Sequence, residues 1–150
     1  MKKAKITILS LLALAVTAFL FQSFAKQQVK EPWTEKQLME PSELVQIINN
    51  ENKSNTYIFS MGHAGHIKYS IDIGEGRDKK NIAKLETEVS KLPKDANIVI
   101  YCGCCPFGDC PNIRPAFRLL NEMKFTNHKL LNLPVNLKVD WIDKGYPMKD

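Results

Sequence analysis

The chain has 150 residues, with 21 Lys and Arg against 16 Asp and Glu and a formal charge of +5. It is too short for two domains with separate cores and long enough for one. Its basic residues form no run interleaved with aromatics, which excludes a nucleic-acid surface of the usual kind.

The first element is a targeting segment. Lys2, Lys3 and Lys5 precede an apolar run from Ile6 to Phe21, followed by Ser23-Phe24-Ala25. A basic start, a short apolar stretch and a small-x-small exit predict a secretory signal peptide over 1–25, cleaved after Ala25. The run of about 16 residues is short for a membrane span of about 20, so no membrane attachment is expected after cleavage. Without the three signal lysines, 18 basic residues face 16 acidic ones, a net charge of +2. Localisation is expected to be periplasmic or secreted, where disulfides persist.

Residues 26–39 read as an N-terminal leader, and the folded domain is expected over 40–150. Pro41 and the acids around it open a helix whose apolar face is Leu44, Val45, Ile47 and Ile48. A polar loop over 49–55 leads into a buried strand from Thr56 to Met61, and a second short strand is expected from Ile67 to Ile73. Asp78 caps a helix with Ile82, Leu85, Val89 and Leu92 at helical spacing. Asn97-Ile98-Val99-Ile100-Tyr101 is apolar without alternation, the mark of a strand covered on both faces. Then come a helix carrying Ile113, Ala116, Phe117, Leu120 and Met123, a strand from His128 to Leu133, and a last helix over 136–144 with Trp141 facing inward. Strands alternating with helices predict an α/β three-layer sandwich with a mainly parallel central sheet. In such folds sites form beyond the carboxyl ends of the strands.

That edge is where YCGCCPFGDCPN lies, holding all four cysteines of the chain: Cys102, Cys104, Cys105 and Cys110. A disulfide inside so small a loop gains little from chain closure, so a purely structural staple does not account for four of them. Three chemistries stay open. One is a reactive Cys102 beside a loop-shaping disulfide from Cys104 or Cys105 to Cys110. The second is a redox pair, Cys102-x-x-Cys105, with Cys110 as a resolving thiol. The third is a soft-metal site, although structural zinc usually draws on two separated pairs. No metal and no cofactor is expected on this reading. Six positions after the four cysteines stand Gly108, Cys110, Pro111 and Ala116, none of them Arg, which excludes the Cys-x5-Arg loop of cysteine phosphatases and arsenate reductases.

The opening helix PSELVQII, the Gly65-His66-Ile67 segment after a buried strand, the strand IVIYC ending in a cysteine, and the close DWIDKGYP come in an order that resembles the rhodanese-like domain. The resemblance covers roughly residues 40–147. It implies a persulfide-forming nucleophile at Cys102, a small sulfur-containing donor and a thiophilic acceptor as partners, and an anion-binding role for Arg114, the nearest cation. A redox partner protein is a further candidate. The chain departs from the family in having Ser60-Met61-Gly62 where Asp-x-Arg is usual, Leu133-Pro134-Val135 where Gly-Gly is common, and a longer loop with three extra cysteines. The alternatives to sulfur transfer are a thioredoxin-like thiol-disulfide oxidoreductase, with Pro134 in cis beside the pair, and a non-catalytic module that binds a metal or a partner.

Overall fold

The computed structural model describes residues 30–50 and 55–150. The expected signal peptide, the start of the leader and part of the 49–55 loop lie outside the described residues. Among the described residues five strands are formed: β1 (Leu38–Met39), β2 (Thr56–Ser60), β3 (Ile71–Asp72), β4 (Asn97–Tyr101) and β5 (His128–Leu131). Among the described residues four α-helices accompany them: α1 (Pro41–Asn49), α2 (Lys79–Val89), α3 (Ile113–Glu122) and α4 (Leu137–Asp140).

The strands form one sheet in the order β1-β5-β4-β2-β3, and every pairing is parallel. Strand β4 sits in the middle, which explains its unbroken apolar sequence. Side chains alternate across it. Ile98, Ile100 and Cys102 join a core with Leu85 and Val89 of α2 and Ile113 and Phe117 of α3. Val99 and Tyr101 join a second core with Leu44 and Ile48 of α1 and Leu137 of α4, together with Trp141. Helices on both faces make the expected three-layer α/β sandwich. Among the described residues no helix is long and apolar enough to cross a membrane.

Three local features differ from the sequence expectations. The strand expected over 67–73 shrinks to Ile71–Asp72, because the Ser70 N–H closes a turn on the Ile67 carbonyl at 2.9 Å and Tyr69 takes φ +66°. Ile67 instead forms an antiparallel bridge with Met148. The last helix ends at Asp140. Trp141 leaves helical geometry (φ −133°, ψ −61°) as its fully buried indole donates to the Pro147 carbonyl at 3.1 Å, and a 3-10 turn, Ile142–Lys144, follows. Within the expected leader, Leu38–Met39 adds strand β1 beside β5, and Trp33 packs edge-on to Phe117.

Parallel order also fixes where the chain can build a site. From β2 the chain moves outward to β3, and from β4 it moves the other way to β5. The crevice beyond β2 and β4 is therefore the switch point at which open α/β sheets carry ligands. Gly62 and Cys102 follow those two strands.

Candidate functional site

Cys102 leaves the carboxyl end of β4 and is 3% exposed. Gly103, at φ +84°, turns the chain so that Cys104 comes back over Cys102, with the two Sγ atoms 3.2 Å apart. A glycine is required here twice over: the positive φ disfavours other residues, and a Cβ would lie 2.6 Å from the Leu137 Cβ. The loop is pinned from below by Leu137 N–H donating to the Gly103 carbonyl at 2.9 Å and by Phe107 N–H donating to the Leu133 carbonyl at 3.2 Å. Cys110 is fully buried, Cys104 is exposed, and the sulfurs of Cys102, Cys104 and Cys110 all lie within 4.8 Å of one another. Cys105 Sγ is 3.4 Å from that of Cys104. All four are free thiols.

The cluster concentrates one negative charge. Cys102 is brought down to about 5, chiefly by the Cys110 thiol turned toward it, then by the Asn112 amide and by the backbone N–H and thiol of Cys104, all against the cost of burial. Burial and the Cys102 thiolate together push Cys104 up to about 12, and Cys110 is pushed up by the same thiolate and by burial. Two thiols thus serve as donors to one thiolate.

Asn112 is a site residue that the sequence reading missed. It stands in the cap position before α3, yet its side chain makes no cap bond. Its Oδ1 accepts from the Arg77 N–H at 3.1 Å, which leaves Nδ2 to donate to Cys102 Sγ at 3.4 Å. Gly76 makes room for it, since a Cβ there would lie 2.1 Å from the Asn112 carbonyl oxygen. The available signal was the Asn itself, a residue that normally caps a helix and sits here beside a cysteine loop. Gly62 is a second missed residue. A Cβ at Gly62 would come 2.5 Å from Cys102 Sγ, so the sulfur rests against bare backbone on that side.

Arg114 is engaged within the domain. Its guanidinium pairs with Glu31 at 2.5 Å, donates to the carbonyls of Gly108 and of Cys110 (3.2 Å to the latter), and lies over the Trp33 ring. It clamps the far end of the cysteine loop to the segment before β1. The peptide before Pro134 is trans.

His63 and His66, three residues apart before Ile67, have other surroundings. His63 pairs with Glu75 at 3.2 Å, and the Nδ1 of His66 is buried without a partner. Gly65-His66-Ile67 is held by the Tyr101 hydroxyl, which accepts from Ile67 N–H at 2.9 Å and donates to the Gly65 carbonyl at 3.2 Å. The Lys149 N–H closes the other side on the His66 carbonyl at 2.8 Å. The segment thus ties β4 to Lys149, just after Gly145-Tyr146-Pro147. A cavity of about 160 Å³ lined by Met39, Thr56, Asn97 and Asn127 lies at the opposite, amino end of the strands.

No family model matches the chain, and no curated protein matches it. Among solved structures it is similar to EanB. A cysteine-to-serine variant of EanB with hercynine aligns with a TM-score of 0.54 and 15% identity, over 74% of this chain and 27% of that one. Threonine-to-valine and threonine-to-alanine variants, also with hercynine, each align with a TM-score of 0.57 and 14% identity over 80% of this chain and 29% of theirs. The chain therefore spans under a third of the length of these neighbours, and the likeness is one of fold.

Proposed function

We propose that this chain is an exported rhodanese-like protein that carries sulfane sulfur on Cys102. The observation that supports it most is the Cys102 thiolate, held near pKa 5 at a strand end by the Cys110 and Cys104 thiols and the Asn112 amide. A thiolate is the attacking species in sulfur chemistry, and donors that hold it also suit the anionic outer sulfur of a persulfide. In the forward step the Cys102 thiolate attacks the outer sulfur of a donor such as thiosulfate. The donor's S–S bond breaks, and sulfite leaves with the electron pair. A thiophilic acceptor then takes the outer sulfur and returns the Cys102 thiolate. Fold likeness to a protein solved with hercynine fits an acceptor of small size without naming one.

Thiol chemistry is the second reading, favoured by the 3.2 Å between Cys102 and Cys104. There Cys104 attacks the inner sulfur of the persulfide, hydrosulfide leaves with the electron pair, and a Cys102–Cys104 disulfide remains to be reduced by an external dithiol.

The test is intact-protein mass spectrometry after exposure to thiosulfate. The wild-type chain is expected to gain one sulfur, Cys104→Ser to keep most of that gain, and Cys102→Ser to lose it. Gain of sulfur by Cys102→Ser, with loss in Cys110→Ser alone, would move the nucleophile to Cys110 and overturn the reading.

A further inference from the structure

Three of the four cysteine sulfurs converge on one point, and that convergence serves a second chemistry. A metal bound equally by three thiolates at about 2.3 Å holds its sulfurs roughly 4.0 Å apart. Here Cys102 and Cys104 are 3.2 Å apart and no pair within the Cys102, Cys104 and Cys110 set exceeds 4.8 Å. Shifts of under about 1 Å would bring all three to coordination distance. We infer that Cys102, Cys104 and Cys110 form a three-sulfur site for a soft monovalent cation, with Cu(I) as its fitting ion.

Donor type and donor number select the ion. An all-sulfur set excludes the hard cations, which take oxygen, and leaves Cu(I), zinc and iron–sulfur clusters. Zinc in structural sites closes a tetrahedron with four ligands. Cys105, the remaining cysteine, lies 3.4 Å from Cys104 yet falls outside the convergent set, and neither His63 nor His66 belongs to it. Three donors suit Cu(I), which is satisfied by two or three. The approach is also built in. Cys104 is exposed while Cys102 and Cys110 are buried, so an ion meets Cys104 first and passes inward to the other two. The set is held in place beforehand by the Gly103 turn and by the Asn112 contact to Cys102. On binding, Cys104 and Cys110 each release a thiol proton, and the ion keeps its oxidation state. The site does not depend on sulfur transfer: persulfide formation on the metal-free chain is a separate measurement and can fail or succeed alone.

The experiment titrates the full chain anaerobically with Cu(I) against a chromophoric Cu(I) chelator and reads the bound ion by X-ray absorption. One Cu(I) per chain with three sulfur neighbours is expected. Cys104→Ser, at an exposed position, is expected to weaken binding by roughly a hundredfold, and Cys105→Ser by less than about threefold. Cys102→Ser and Cys110→Ser are expected to match or exceed the Cys104 effect, with circular dichroism reporting their folding. If the buried variants do not fold, the Cys104→Ser affinity and the sulfur count decide the matter. Two sulfur neighbours, an equal loss in Cys105→Ser, or no competition with the chelator would overturn the site. Zinc bound more tightly than Cu(I), with dependence on all four cysteines, would overturn it as well.

Discussion

Asn112 donates from Nδ2 to Cys102 Sγ at 3.4 Å while its Oδ1 accepts from the Arg77 backbone N–H at 3.1 Å. The second bond orients the first. With the amide oxygen committed to a donor, the nitrogen has to face the sulfur, so a backbone amide between β3 and α2 sets the polarity of the group at the thiolate.

Asn112→Asp reverses that polarity and adds a like charge beside the sulfur, and Asn112→Leu removes the donor. Both are expected to raise the Cys102 midpoint from about 5, Asp more than Leu. Asn112→Leu also removes the acceptor of the Arg77 N–H. The measurement is a pH titration of thiolate absorbance. In the wild-type chain thiolate forms as pH rises through about 5 and then stays level through neutrality, because Cys104 is pushed to about 12 and Cys110 is raised too. Persulfide formation is expected to follow the same curve. A rate that climbs only toward the ordinary thiol range near 8.5 would mean the charge does not rest on Cys102.

Gly62 tests the other side of the sulfur. Gly62→Ala sets a methyl where Cys102 Sγ now rests, 2.5 Å away. Gly62 has no left-handed backbone requirement, so the effect is one of space. Overpacking of this kind costs about 1–3 kcal/mol. The variant is expected to fold and to lose at least roughly tenfold in persulfide formation, a reacting sulfur being sensitive to about 1 Å of displacement. Unchanged kinetics would mean that the sulfur reacts from its Cys104 side and that the Gly62 face is plain packing.

The layers and the location of the cysteine loop were legible because their signals are local. Ile98 to Tyr101 read as a doubly covered strand without any partner in view, and a cysteine at its end had to emerge at the sheet's carboxyl edge. The pairing of Cys102 with Gly62 and Asn112 was not legible. Gly62 follows a different strand and Asn112 lies at the far end of the loop, and their contacts with the sulfur exist only once β2 and β4 lie side by side. Strand β1 is two residues long and carries no periodicity to find. The shortened 67–73 strand reflects a conflict in the same sense: Ile67 and Ile71 favour a strand locally, while the Tyr101 hydroxyl and Pro147 take up the backbone between them.

Arg114 separates structural clamping from anion binding. Its contacts to Glu31, Gly108, Cys110 and Trp33 use the guanidinium within the domain, and they join the cysteine loop to the residues before β1. Arg114→Ala is expected to lower stability by about 1–3 kcal/mol in chemical denaturation, because Glu31 loses its partner at a half-buried position. The KM for thiosulfate is expected to change by less than about threefold, with Arg114→Lys in between on stability, since a lysine lacks the planar fork that reaches several acceptors. A tenfold rise in KM at unchanged stability would return Arg114 to the donor-binding role that the family resemblance implies.

Cys104 decides between plain sulfur transfer and a redox cycle. Its sulfur sits 3.2 Å from Cys102, close enough to attack once Cys102 carries an outer sulfur. In the resting cluster Cys104 stays protonated because burial and the charge held on Cys102 both disfavour a second thiolate. Persulfidation moves that charge outward by one bond, which weakens the repulsion that suppressed the second thiolate. Attack by Cys104 then competes with attack by an external acceptor, and each internal event removes a chain from the cycle until a dithiol reduces it. With cyanide alone, product formation is expected to slow within a few turnovers as free thiols fall by two per chain, and a dithiol reductant is expected to restore the rate. Cys104→Ser is expected to turn over cyanide steadily without reductant and to release no hydrosulfide. Steady cyanide turnover by the wild-type chain with all its thiols retained would mean that Cys104 acts only as a donor to the Cys102 sulfur.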